Sequence, residues 1–125
     1  MRVMVFVKSS PEAEAGAMPS PEILAEMTRF NEQLVKAGIM LAGEGLHPTS
    51  KGFKVAYDGP SKRTVTDGPF AEAKEIVGGF AIVETRTREE AMAIARQFME
   101  LHRIHVPDFE CESEIRPLEE FLACG

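Results

Sequence analysis

The sequence predicts an α+β fold: an antiparallel sheet with two long helices on one face. Three observations predict it. Short runs rich in β-branched residues recur between Val3 and Ile115. Two longer segments carry apolar residues at helical spacing. The two kinds of segment follow the order β-α-β-β-β-α-β, with a short helical turn inside. That order is a variant of the split βαβ, ferredoxin-like plan.

The first strand is Val3 to Val7, with Lys8 at its end. Ser9 to Ser20, with Pro11, Gly16 and Pro19, reads as a loop containing a short helical turn. Ser20-Pro21-Glu22 opens a helix, with Ser as N-cap and Pro at the first helical position. Ile23, Leu24, Met27, Phe30, Leu34 and Val35 form its apolar stripe, and Gly38 stops it. Ile39 to Leu46 is the second strand, where Gly43 and Gly45 suggest a bulge or a close backbone approach.

Phe53 to Tyr57 and Arg63 to Thr66 read as a hairpin around Asp58-Gly59-Pro60. Gly78 to Glu84 is a central strand. Thr87 and Glu90 make a capping box for a second helix with Ala91, Ile94, Ala95 and Phe98 inside. Phe109, Cys111, Ser113 and Ile115 alternate with charged residues in a last strand. The helix-free face of the sheet, with Tyr57 and Phe80 beside charges, then meets water or a second subunit.

Composition narrows the function. A chain of 125 residues is expected to be one domain, residues 1–125, without a linker or repeat. A net charge of -6 disfavours nucleic acid and anionic membrane as partners, since both call for a basic patch. The N-terminal apolar run is too short for a signal segment or a membrane span. Cys111 and Cys124 read as free thiols of a reducing compartment, so a cytoplasmic location is expected.

One stretch is denser in constraint than a connection needs: Asp67-Gly68-Pro69-Phe70-Ala71-Glu72-Ala73-Lys74-Glu75, set between two strands. Asp accepts backbone hydrogen bonds at turns, Gly permits unusual backbone angles, Pro suits the first position of a helix, and Phe anchors the turn. Asp67-Gly68-Pro69-Phe70-Ala71-Glu72, followed by Lys74-Glu75 and Gly78-Gly79-Phe80, resembles the signature of the YCII-related, or DGPF-domain, family. Phe30-Asn31-Glu32, Ala42-Gly43-Glu44-Gly45-Leu46 and Glu114-Ile115-Arg116-Pro117 extend the resemblance over nearly the whole chain. It implies a homodimer in which two sheets face each other, a dimeric α/β barrel. It also implies a His–Asp acid/base pair, and association of related modules with extracytoplasmic-function sigma factors.

The candidate catalytic residues are therefore His47 and Asp67. His titrates near neutrality, and a carboxylate on its other ring nitrogen would fix its tautomer and raise its basicity. Glu44, Phe70, Lys74, Glu75, Phe80 and Arg116 are the candidate substrate-binding residues. Each also has a plain reading. Asp67 caps the Pro69 turn; His47 is an ordinary loop histidine; Lys74 and Glu75 form a solvated pair; Phe70 and Phe80 are core. Glu44, in a strand expected to be buried, calls for a partner such as Lys8 or Arg116.

His102 and His105 near Glu100 lack a second ligand pair with metal spacing, so no metal is expected. Gly78-Gly79 is not a phosphate loop, and Cys111 has no nucleophile context. No organic cofactor is expected either. Two functions stand: a cofactor-free enzyme doing acid/base chemistry on a small molecule (isomerase, lyase or dehydrohalogenase-like), and a non-catalytic regulatory or ligand-binding module.

Overall fold

The computed structural model of the chain describes residues 1–70, 76–106 and 110–119. Their elements are β1 (Arg2–Lys8), α1 (Pro11–Glu14), α2 (Pro21–Lys36), β2 (Met40–Gly45), β3 (Phe53–Tyr57), β4 (Arg63–Asp67), β5 (Val77–Glu84), α3 (Arg88–His105) and β6 (Ser113–Pro117). A single 3-10 turn, Thr49–Lys51, lies between β2 and β3.

The helix signals act where the residues place them. Ser20 accepts from the Ile23 amide at 3.3 Å, and Thr87 accepts from the Glu90 amide at 3.1 Å. Gly38, with φ of 73°, takes the chain out of α2. Ser9 to Ser20 holds a short helix, α1, capped by Ser10 with Pro11 at its first position.

The main sheet has four strands in the order β2-β5-β1-β6, every pair antiparallel. Val3, Val5 and Val83 point to one face and pack with Ala91 and Ala95 of α3; Ile39 lies beside them. Val3 and Val83 are almost fully buried. The two long helices pack on each other, with the Phe30 and Phe98 ring centroids 6.4 Å apart. This is the predicted α+β plan.

Four expectations are corrected. The predicted hairpin forms, but β3 and β4 make a two-stranded sheet of their own and do not join the main sheet. Tyr57 therefore lies outside the face of the main sheet. In α2 the apolar stripe is narrower than its spacing suggested: Ile23 and Leu34 are buried, but Leu24 and Val35 are exposed. The register shift in β2 falls between Met40 and Ala42, ahead of the two glycines. The described part of the last strand begins at Ser113, after Cys111; Phe109 lies outside the described residues.

Candidate functional site

The turn at Asp67 is held by residues far from it in sequence. Glu14, at the end of α1, accepts from the Thr49 amide at 2.8 Å and also from the Thr49 hydroxyl. The same hydroxyl oxygen accepts from the Phe70 amide at 3.0 Å. The Gly68 amide donates to the Gly52 carbonyl at 3.0 Å. Gly68 lies so close to the Thr49 carbonyl that a Cβ there would sit 1.7 Å from its oxygen. The Gly68–Pro69 peptide is cis. Phe70 is half-buried, and the Lys54 ammonium stands 4.3 Å from its ring centroid, a cation–π contact. Glu14 and Thr49 were not legible as site residues. The one signal for Glu14 was the Ser10-Pro11 helix start, which places it in a helix but not against Thr49.

Among the described residues, no hydrogen bond makes Asp67 the cap of the Pro69 turn. Its side chain is exposed, and the Phe70 amide donates to Thr49 instead. His47 is also exposed, one residue beyond Leu46, whose amide donates to Gly78 at 2.9 Å. Among the described residues, no hydrogen bond or ion pair joins His47 to Asp67. Nor do their strands pair: β4 bonds only to β3, while β2 bonds to β5. The two are still brought to one neighbourhood. His47 is two residues before Thr49 and Asp67 one before Gly68, so they flank the Thr49–Gly68 backbone contact.

Three other candidates meet on the helix-free face of the main sheet. Directly opposed residues of antiparallel strands share a face. One row across the four strands reads Glu44, Phe80, Phe6, Glu114, and the next reads Ala42, Ile82, Met4, Arg116. Phe80 is thus half-buried on that open face, with Glu44 beside it and Arg116 two strands away. The expected partnership of Glu44 with Lys8 or Arg116 is not made. Lys8 pairs with Glu114 at 3.5 Å and Arg116 with Glu114 at 3.8 Å. Glu44 needs no partner because β2 is an edge strand exposed to water, not a buried one. Lys74 and Glu75 lie outside the described residues.

The remaining signals are structural. The His102 ring lies against Phe98, centroids 4.6 Å apart, with Nδ1 2.9 Å from the Phe98 carbonyl oxygen. Among the described residues no group of three His, Cys, Asp or Glu side chains is placed to hold a metal ion. The Cys111 thiol donates to the Lys8 carbonyl at 3.4 Å, and burial pushes its pKa up, opposite to what a nucleophile needs. An open groove between α3 and β6, lined by Met92, Arg96, Met99 and Ile115, contains none of the predicted site residues. No helix among the described residues is long and apolar enough to cross a membrane.

No curated protein matches the chain. A family model does: that of the YCII-related domain, over residues 1–100, which takes in the Asp67–Phe70 turn, the open sheet face as far as β5 and most of α3. The chain belongs to the family of YCII-related domains.

Proposed function

We propose that the protein is a homodimeric domain that holds a small molecule at the Asp67–Phe70 turn and acts on it by acid/base chemistry through Asp67 and His47. One observation carries this reading. The Gly68 and Phe70 amides of the turn are held by Gly52 and Thr49, and Thr49 in turn by Glu14, while among the described residues no hydrogen bond reaches the Asp67 carboxylate. A rigid turn that presents an unspent carboxylate is prepared for a ligand, because its geometry is set before binding. His47 flanks the same backbone contact, exposed and with no ring-nitrogen partner among the described residues. It serves as the base or acid, and the ligand bridges it to Asp67.

The open sheet face supplies the second wall and the dimer contact. Met4, Phe6, Phe80 and Ile82 make its half-buried apolar centre, rimmed by Glu44, Lys8, Glu114 and Arg116. Apolar surface of that kind, uncovered by a helix, favours a second copy of the sheet.

The test is a thermal-shift screen of wild type and Asp67→Asn against lactones, hydroxylated aromatics and small organic acids. A ligand at 100 times its dissociation constant stabilises by about 2.7 kcal/mol, which is several degrees here. The expected result is a shift in wild type that disappears in Asp67→Asn, with circular dichroism showing the unliganded variant folded. A shift of equal size in the variant would remove Asp67 from the site.

A further inference from the structure

The β3–β4 hairpin carries a pattern of its own. Its register sets Phe53 opposite Asp67, Val55 opposite Val65 and Tyr57 opposite Arg63 on one face. Lys54 with Thr66, and Ala56 with Thr64, take the other face. The first face is apolar at its centre and bare: Phe53, Val55, Val65 and Tyr57 are 65, 50, 61 and 71% exposed. That leaves on the order of 500 Å² of side-chain surface in one patch, the size that marks an interaction site. A two-stranded hairpin is marginal in water by itself, so a cover would stabilise it.

The pattern also names the cover. A second hairpin can lie face to face on the first, with the two-fold axis crossing the strands at the Val55–Val65 row. That rotation reverses strand direction but keeps β3 over β3 and β4 over β4. Phe53 then meets the partner's Tyr57, each valine meets its own copy, and Asp67 meets the partner's Arg63. All three rows match at once. The alternative axis, along the strands, sets Phe53 on the partner's Asp67 and buries a carboxylate without a counter-charge. The pattern is self-complementary in one orientation only. Two such patches remove on the order of 1,000 Å² from water, at the lower end for a specific interface and a useful addition to a sheet-face contact.

We propose that this hairpin face is a self-association surface of the chain, and that it brings the partner's Arg63 to Asp67. The inference rests on the homodimer reading above and deepens it, since the second copy then adds a guanidinium to the small-molecule site.

The experiment is a sedimentation titration of the full chain as wild type, Arg63→Asp, Asp67→Arg, the double variant and Phe6→Ser, with circular dichroism to confirm the fold. Each single reversal sets like charges together twice per dimer, so each weakens the dimer about tenfold or more; the double variant restores it to within about threefold of wild type. A dimer indifferent to the reversals, or a double variant as weak as the singles, overturns the hairpin contact. If only Phe6→Ser then dissociates, the open sheet face is the sole interface and the homodimer reading survives without the hairpin. A wild type that is monomeric at every concentration overturns both, and the thermal-shift screen still tests the ligand site.

Discussion

Glu14 and Thr49, 35 residues apart in sequence, are joined twice: one carboxylate takes both the Thr49 amide and the Thr49 hydroxyl. The bond ties α1 to the 3-10 turn, and through the Thr49 oxygen to Phe70. Hydrogen bonds to a charged group in a half-buried setting contribute about 1.5–3 kcal/mol. Glu14→Ala is expected to lower the melting temperature by roughly 5–15 °C for a domain of this size. Thr49→Ser, which keeps the hydroxyl, should stay close to wild type, and Thr49→Val should resemble Glu14→Ala.

Gly68→Ala tests the close approach. Its Cβ would overlap the Thr49 carbonyl, so the backbone must move, at a cost of about 1–3 kcal/mol or more. Gly45→Ala is the control, because open space surrounds that position. Chemical denaturation should show a large loss for the first and a change within about 0.5 kcal/mol for the second. Equal effects would mean that the turn is not clamped on Thr49.

Thr85→Val is expected to stabilise the fold. Thr85 is 2% exposed, and its hydroxyl oxygen has no hydrogen-bond partner among the described residues. Valine has nearly the same shape and removes the desolvated hydroxyl, which costs about 1–3 kcal/mol when unsatisfied. A rise of a few degrees in melting temperature is the predicted outcome; a fall would show that the hydroxyl is satisfied by water in solution.

Cys111 gives a prediction in pH. Burial raises its pKa above the ordinary thiol value, so the folded state holds the proton more tightly than the unfolded chain. The stabilising contribution is complete below the unfolded pKa, and it is lost as pH rises through the folded one. In a Cys124→Ser background, iodoacetamide labelling of the native protein near pH 8 should be slower than in denaturant, and Cys111→Ala should flatten the alkaline loss of stability.

Much of the fold was legible because its signals are local. Ser20-Pro21, Gly38 and Thr87 each act on the backbone within four residues, and each acts in the structure as its chemistry predicts. The strand runs were legible too, but not their partners. Arg63 to Thr66 looks the same whether it joins the main sheet or stands apart with β3, and pairing is decided by contacts distant in sequence. The site divides in the same way. The density of constraint at Asp67–Phe70 was visible, but the clamp from Glu14 and Thr49 was not, because its bonds join residues 35 and 21 positions apart in sequence. Glu44 was misjudged through burial: its strand reads as apolar but lies at an edge.

On the open sheet face, Glu114 stands between Lys8 and Arg116, so that side sets two cations against one carboxylate. Glu44, about 14 Å away across three strand spacings, has no counter-ion among the described residues. The face therefore has a direction. A molecule lying across it meets a bare negative charge at one margin and a cluster with a cation in excess at the other, so a dipolar guest would be aligned as well as held, with its positive end toward β2.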